Sequence, residues 1–216
     1  MAMMQAPAAG GLSKAVFLDK DGTVVENVPY NVDPSLLRFT PHAIEGLQML
    51  ADDGFRLIMI TNQPGVGLGL FDLAALTRLQ EALTERLAQH GLVLDGFYAC
   101  THAPGLDPSR APCSCRKPSP GLLLQAAEER GLDLERSWMI GDILDDIEAG
   151  RRAGCRTVML DVGNETVWRT SELRVPHHRA ADLREAARWI VQASPLPWDT
   201  AAALNTDGLH GNQPRV

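Results

Sequence analysis

The stretch Phe17-Leu-Asp-Lys-Asp-Gly-Thr23 places two carboxylates, one residue apart, directly after the apolar run Ala15-Val-Phe-Leu18. A short apolar run that stops at a polar residue is typical of a buried strand leading into a loop. Attack on phosphorus requires an anionic oxygen and a proton donor for the leaving alkoxide. Asp19 is suited to the first role and Asp21 to the second, with the Lys20 side chain expected to point elsewhere. An ordinary Asp-Gly turn is the alternative for this stretch taken alone.

Predicted strands and helices alternate along the chain beyond this stretch. Apolar runs predict strands at 55–60, 97–99, 137–140 and 156–160, and apolar spacing with capping residues predicts helices at 41–54, 72–90, 120–130, 144–153 and 181–192. This alternation predicts a three-layer, Rossmann-like α/β fold, in which helices cover both faces of a parallel sheet. Ligands of such sheets bind beyond the carboxyl ends of the strands. Asp19, Thr61 and Asp142 are therefore expected to converge at one edge.

Length and composition indicate one globular domain. The chain has 216 residues, of which 45% are hydrophobic and 22% charged. We expect a flexible leader at 1–14, a single domain at 15–193 with a cysteine loop at 100–115, and a flexible tail at 194–216. The net charge of −7 argues against nucleic acid as the main partner. No apolar run approaches the roughly 20 residues of a membrane span, so we expect no membrane partner and a cytoplasmic monomer.

Three of the four cysteines cluster beside a histidine. Cys100-Thr-His102 is followed, after ten residues, by Cys113-Ser-Cys115. Three thiolates and one imidazole make a closed tetrahedral set, which is the pattern of structural zinc with no open position for water. Free surface thiols are the alternative, whereas Cys155, outside the cluster, is expected to be a small buried hydrophobic residue. Because the loop ends at Arg116-Lys117, bound zinc would fix the chain that carries this lysine.

Four motifs occur in the order that they have in the haloacid dehalogenase-like phosphatases, and the chain resembles that family over about residues 15–160. They are the Asp19-Lys-Asp21 pair, Thr61-Asn-Gln63, Lys117, and Gly141-Asp142 followed by Asp145-Asp146. Four motifs in order are far more specific than any one of them. The resemblance implies a phosphatase in which Asp19 is the nucleophile and Asp21 the acid/base.

The same resemblance implies roles for further polar residues. Thr61 would hydrogen-bond the transferred phosphoryl group, and Lys117 would neutralise its charge. Asp142 would bind Mg²⁺ together with the Asp19 carboxylate and the Asp21 backbone carbonyl, and oxygen atoms are the ligands that Mg²⁺ prefers. The sequence leaves open which carboxylate of the last acidic pair supports the metal and which lies on the surface.

A zinc loop directly before Arg116-Lys-Pro118 narrows the resemblance to the D-glycero-D-manno-heptose-1,7-bisphosphate 7-phosphatases and the related histidinol-phosphate phosphatases. The stretches TNQPGVG and CRKPSPG look more like the heptose enzymes. The resemblance therefore implies removal of the 7-phosphate of a heptose bisphosphate, in carbohydrate metabolism. It also implies a set of residues that contact this phosphorylated sugar: Asn27, Tyr30, Thr61, Asn62, Gln63, Arg116 and Lys117.

Two positions depart from the pattern of the heptose enzymes. Leu68 and Ile143 stand where those enzymes carry Arg and Lys. Both changes remove a positive charge from the region where a second phosphate would be held. Histidinol phosphate or another small sugar phosphate is the alternative substrate, and a non-catalytic, zinc-organised binding module is the less favoured alternative function.

Overall fold

The computed structural model of this protein describes residues 11–105 and 113–193. The tail predicted at 194–216, the first ten residues of the predicted leader and residues 106–112 of the cysteine loop lie outside the described residues. Ser13 and Lys14 are fixed to the domain. The Ser13 amide donates to Gly131 O at 3.0 Å, and Lys14 Nζ pairs with Asp53 Oδ2 at 2.8 Å.

The described strands form one sheet in which all pairings are parallel. They are β1 (Ala15–Leu18), β2 (Arg56–Asn62), β3 (Gly96–Cys100), β4 (Trp138–Gly141), β5 (Arg156–Leu160) and β6 (His178–Ala180). Their order across the sheet is β3-β2-β1-β4-β5-β6. Leu18 is paired with Met59 on one side and with Ile140 on the other. Asp19, Thr61 and Asp142 therefore leave the sheet at nearly the same level, which confirms the expected convergence at one edge.

Helices cover both faces of this sheet, which confirms the predicted three-layer α/β fold. They are α1 (Ala43–Asp52), α2 (Leu73–Ala88), α3 (Gly121–Arg130), α4 (Leu144–Ala153) and α5 (Leu183–Gln192). One core lies beneath α1, α2 and α5 and contains Val16, whereas the other lies beneath α3 and α4 and contains Phe17. Consecutive residues of β1 thus enter opposite cores, as the twofold period of a strand requires. In the described ranges, no helix combines the length and hydropathy needed to cross a membrane.

The helix boundaries follow the capping residues. Asp72 accepts a hydrogen bond from the Ala75 amide at 2.7 Å and caps α2 at its N-terminus, as predicted. Asp182 caps α5 in the same way, so this helix begins two residues after the predicted start. Gly131 ends α3 with a left-handed φ of 62°, a conformation that glycine adopts without steric cost.

The strand β6 is not among the strands predicted from the sequence, and it includes His178. His178 is paired with Val158 of β5, and its ring is stacked on Trp189 at 4.4 Å between centroids. His177 Nδ1 accepts a hydrogen bond from the Thr157 amide at 3.0 Å. A three-residue strand shows no periodicity, so its pairing can be known only from the folded chain.

Candidate active site

A cavity of about 370 Å³ lies beyond the carboxyl ends of β1, β2 and β4. All but one of the residues predicted for the phosphoryl group, the sugar and Mg²⁺ line it: Asp19, Asp21, Asn27, Tyr30, Thr61, Asn62, Gln63, Lys117 and Asp142. Arg116 is not among the lining residues, and its Nη1 atom is buried without a hydrogen-bond partner in the described part of the chain. Its predicted contact with the substrate stays a prediction.

Lys117 is buried at the centre of this site. Its ammonium lies 2.5 Å from Asp19 Oδ1, 2.6 Å from Asp146 Oδ1 and 2.9 Å from Ile60 O. The contacts with Asp19 and Ile60 are hydrogen bonds, and the contact with Asp146 is an ion pair. Burial opposes the charge of this lysine, but the carboxylates of Asp146 and Asp19 raise the pKa of Lys117 above its usual range. The site therefore keeps a fixed positive charge beside Asp19.

Asp145 and Asp146, whose roles the sequence leaves open, have different surroundings. Asp146 is fully buried and contacts Lys117. Asp145 Oδ1 instead accepts a hydrogen bond from Arg174 Nη2 at 2.7 Å, at the outer side of α4. Burial raises the pKa of Asp146 to about 7 against the opposing charge of Lys117. Asp146 is thus the member of the pair that belongs to the site.

Asp142 faces the same group of carboxylates. Burial, together with the nearby Asp19, raises the pKa of Asp142 to about 6. Carboxylate oxygens of Asp19, Asp142 and Asp146 lie within 4.8 Å of one another. Negative charges this close destabilise one another unless a cation lies between them, and carboxylate oxygens are the donors that Mg²⁺ prefers. The donor set and its spacing therefore fit Mg²⁺.

The Asp21 carboxylate is held at both oxygens. Lys20 Nζ pairs with Oδ1, and Gln63 Nε2 donates to Oδ2 at 3.0 Å. The expectation that the Lys20 side chain points elsewhere is wrong. The amides of Val24 and Val25 both donate to Lys20 O, so the chain folds back and encloses this side chain, which is 1% exposed. Burial raises the pKa of Asp21, and Lys20 opposes the shift.

Asn62 and Gln63 fix their neighbours as well as lining the cavity. Asn62 Nδ2 donates to Lys117 O at 3.2 Å, and the Lys117 amide donates to Asn62 Oδ1 at 3.1 Å. Gln63 Nε2 also donates to Thr61 Oγ1 at 3.0 Å. The end of β2 therefore holds the backbone of Lys117 and orients the Thr61 hydroxyl.

The predicted zinc ligands form one compact cluster. Sγ of Cys100 lies 3.7 Å from Sγ of Cys113 and 3.3 Å from Sγ of Cys115, and His102 Nδ1 lies 3.2 Å from Cys115 Sγ. A tetrahedral zinc site with Zn–S bonds of about 2.3 Å has sulfur atoms about 3.8 Å apart, so these distances fit zinc. Burial and the adjacent sulfurs raise the pKa of Cys115 to about 12, and thiolate formation there requires a compensating cation. Cys155 is buried at 4% exposure in the core beneath α3 and α4, as predicted.

Comparisons with known proteins agree with this geometry. A family model described as "HAD-hyrolase-like" matches residues 114–186. The chain is 38% identical over 150 residues to the D-glycero-beta-D-manno-heptose-1,7-bisphosphate 7-phosphatase of Pasteurella multocida, which covers 69% of this chain and 82% of that protein. For the enzyme of the same name from Helicobacter pylori, the identity is 37% over 181 residues, and the coverage is 82% of this chain and 97% of that protein.

This chain belongs to the haloacid dehalogenase-like phosphatases. The predicted family, enzyme class and fold are thereby confirmed. A solved structure is also similar to this phosphatase, that of D,D-heptose 1.7-bisphosphate phosphatase from B. bronchiseptica complexed with magnesium and phosphate. The two chains share 28% identity with a TM-score of 0.68, over 84% of this chain and 99% of the other.

Sequence analysis missed the contacts of Lys20 and Asn164 with site residues of this phosphatase and left the role of Asp146 open. Spacing does not separate Asp146 from Asp145, because positions three and four residues apart lie on the same face of a helix. Lys20 lies between two site residues, but nothing in its sequence context predicts an enclosed side chain. Asn164, whose Nδ2 donates to Asp142 Oδ2 at 2.7 Å, belongs to the loop after β5 and to none of the motifs. Only the folded chain brings it to the site.

Proposed function

We propose that this phosphatase uses Mg²⁺ to remove the 7-phosphate of D-glycero-D-manno-heptose 1,7-bisphosphate. The observation that carries the proposal is the grouping of Asp19 and Asp142 with Lys117 in one cavity, where the Lys117 ammonium also pairs with the buried Asp146. Relatives that are 37% and 38% identical carry the name of this activity, which supports the choice of substrate. Clustered cysteines beside a histidine are typical of metal binding in reducing compartments, which supports the proposal of a cytoplasmic location.

The proposed reaction has two steps at the Asp19 carboxylate. In the first, Asp19 attacks phosphorus and becomes a phosphoaspartate, while Asp21 gives its proton to the departing sugar oxygen. In the second, Asp21 takes a proton from a water molecule that attacks the phosphoaspartate, which releases phosphate and restores Asp19. Lys117 offsets the charge of the phosphoryl oxygens, and the Thr61 hydroxyl donates to one of them.

The charges in the site explain why a metal is part of the proposal. Two unit negative charges 4 Å apart repel by about 4 kcal/mol at an effective dielectric constant of about 20. Lys117 alone must offset Asp19 and Asp146, and a phosphate dianion adds two further negative charges. The Asp19 and Asp142 carboxylates and the Asp21 backbone carbonyl would hold Mg²⁺, which supplies positive charge to the phosphoryl oxygens when bound.

We propose a structural role for zinc at Cys100, His102, Cys113 and Cys115. The cluster has four protein ligands and no open position. It joins the end of β3 to the segment that carries Lys117, so its proposed effect on the reaction is to fix this lysine. Residues outside the cluster carry the chemistry.

The leaving group would lie against neutral polar residues. Asn27, Tyr30 and Gln63 line the cavity and offer amide and hydroxyl groups to a sugar. Ile143 also lines the cavity, whereas Leu68 does not and is 41% exposed. We propose Arg116, the residue before Lys117, as the cation that binds the second phosphate. Its Nη1 atom is buried and has no hydrogen-bond partner among the described residues.

A phosphate-release assay with a substrate panel tests the proposal. The panel contains D-glycero-D-manno-heptose 1,7-bisphosphate, heptose monophosphates and histidinol phosphate, each with Mg²⁺. We expect the bisphosphate to have the highest kcat/KM, and we expect Asp19→Asn to abolish release while zinc content and the circular dichroism spectrum stay unchanged. A higher kcat/KM for histidinol phosphate would refute the substrate, and turnover by the Asp19→Asn variant would refute the mechanism.

A further inference from the structure

The loop between β5 and β6 reaches the proposed metal site through one side chain. Asn164 lies four residues beyond the end of β5, lines the cavity and donates from Nδ2 to Asp142 Oδ2 at 2.7 Å. Thr23 Oγ1 also donates to Oδ1 of this carboxylate, but this hydrogen bond is 3.4 Å long. Since O–H···O hydrogen bonds are usually about 2.5–3.0 Å long, Asn164 is the stronger of these two side-chain donors.

The backbone beside Asp21 is shaped to admit this contact. Gly22 has a φ of +85°, and a Cβ atom there would lie 2.2 Å from Asp142 Oδ2 and 2.4 Å from Asn164 Nδ2. Both distances are much shorter than a van der Waals contact, so a Cβ atom would clash with both side chains. The loop after β1 therefore lies directly against the hydrogen bond between the other two loops, and only glycine leaves room for it.

The loop that carries Asn164 is fastened to α4, the helix that follows Asp142. Glu165 Oε2 accepts a hydrogen bond from the Leu144 amide, the first of α4, at 2.9 Å. Further along the loop, Arg174 bonds Asp145 Oδ1 at 2.7 Å and Glu148 Oε2 at 2.6 Å. The chain that follows Asn164 is therefore fastened to α4, and Asn164 does not reach Asp142 from a free loop.

We propose that Asn164 is a positioning residue, whose amide fixes the rotation of the Asp142 carboxylate so that the oxygen it does not contact, Oδ1, keeps the direction required to bind Mg²⁺. The inference rests on the proposed function for the presence of Mg²⁺ at Asp142. A carboxylate that ligates a metal is itself hydrogen-bonded in most proteins, and loss of such a partner weakens metal binding or activity about 10–100-fold. Without the Asn164 amide, Asp142 would be a buried carboxylate beside Asp19, and its side-chain hydrogen bond from Thr23 is 3.4 Å long.

Calorimetric titration of Mg²⁺ into the full-length, zinc-containing protein tests this role. The variants are Asn164→Ala and Asn164→Leu, the second of which keeps the size of the side chain and removes its amide. Asn31→Ala is the matched control, since Asn31 lines the same cavity and its side-chain hydrogen bonds, among the described residues, are with Asp33. We expect the Kd for Mg²⁺ to rise about tenfold in both Asn164 variants and to change less than twofold in the control.

Two further readouts separate positioning from other roles. The thermal midpoint without Mg²⁺ should stay within a few degrees of that of the wild type, and KM for the phosphorylated substrate at saturating Mg²⁺ should be unchanged. Wild-type Kd for Mg²⁺ in both Asn164 variants would overturn the inference, and so would a raised KM with an unchanged Kd, which would indicate a substrate contact. Absence of Mg²⁺ binding by the wild type would overturn the proposed function as well, so the two failures are distinguishable.

Discussion

The proposed acid/base, Asp21, shares its carboxylate between two neighbours inside the protein. Lys20 pairs with one oxygen and Gln63 donates to the other. The Lys20 side chain is 1% exposed and that of Asp21 is 27% exposed. Breaking a fully buried ion pair costs about 3–5 kcal/mol, because the remaining charge loses its partner. Water that reaches Asp21 reduces this cost, so a smaller value applies here.

Replacement of Lys20 by Met removes the charge and keeps most of the side-chain volume. We expect the free energy of unfolding to fall by about 2 kcal/mol, and kcat to fall because one oxygen of Asp21 is released. Lys14→Met is the control, since Lys14 pairs with Asp53 near the surface, where such pairs contribute about 0–1 kcal/mol. Urea unfolding and phosphate release measure both effects. Equal losses in the two variants would contradict a special role for Lys20.

At the scale of elements, the cysteine cluster connects the end of β3 to the segment that carries Lys117. Cys100 ends β3, and Cys115 stands two residues before Lys117. The glycine-rich loop after β2 also packs against the cluster: the Gly67 amide donates to Thr101 O at 2.9 Å, and a Cβ atom on Gly67 would lie 2.4 Å from a backbone nitrogen of the same segment. Order in the cluster is therefore transmitted to the backbone of Lys117.

Replacement of Cys115 by Ala should lower both the bound zinc and the rate. We expect the zinc content to fall well below one ion per chain, since three ligands with an open position bind zinc less tightly. We expect kcat to fall because Lys117 then keeps only its backbone hydrogen bonds to Asn62 as an anchor. Cys155→Ala is the matched control, because Cys155 is buried outside the cluster. Metal analysis and phosphate release measure the effect. An unchanged rate after loss of zinc would show that the ion has no structural role in the site.

The edge strand β6 is held by a histidine whose charge state matters for stability. His177 Nδ1 accepts from the Thr157 amide at 3.0 Å, and Arg151 Nη1 lies 2.8 Å from Nε2. Burial and the charges of Arg151 and Arg156 lower the pKa of His177. Protonation at Nδ1 would remove the acceptor and place a third positive charge beside two arginines.

The pH dependence of unfolding tests this contact. Because the pKa of His177 is lower in the folded state than its unfolded value near 6.5, the contribution of the neutral ring is complete above about pH 6.5 and is lost as the pH falls through the folded pKa. We expect His177→Gln to be less stable than the wild type at about pH 8 and to lose less stability on acidification to about pH 5. Parallel stability curves for the two proteins would contradict the assignment.

The helices and strands differ in how far the sequence determines them. Helix α4 and strands β1 and β5 have the predicted bounds. An apolar run marks each strand and Gly154 ends the helix, and both are local signals. Strand β6 has only three residues, and its partner Val158 is twenty residues away, so no local signal predicts it. The sequence also does not predict the directions of two side chains in the site. Lys20 is enclosed by a backbone turn, and Asn164 contacts Asp142 from a loop that contains no motif.

At the scale of the whole molecule, the sheet itself assembles the site. Strand β1 lies between β2 and β4 in the sheet, although about 40 residues separate it from β2 and about 120 from β4 along the chain. Their carboxyl ends deliver Asp19, Thr61 and Asp142 to one cavity, and two cores hold the sheet between its helices. This convergence follows from parallel topology and could be predicted from sequence. The distances between the carboxylates and Lys117 depend on packing and could not.

The most direct test of the central claim, that Asp19 receives the phosphoryl group in this assembled site, is peptide mapping by mass spectrometry after acid quenching during turnover. Asp21→Asn should slow both steps, because the departing sugar oxygen loses its acid and the attacking water loses its base. We predict a phosphoryl group on Asp19 in the wild type and none in Asp19→Asn. Phosphate release by the wild type with no phosphorylated Asp19, or with the phosphoryl group on another residue, would contradict the account.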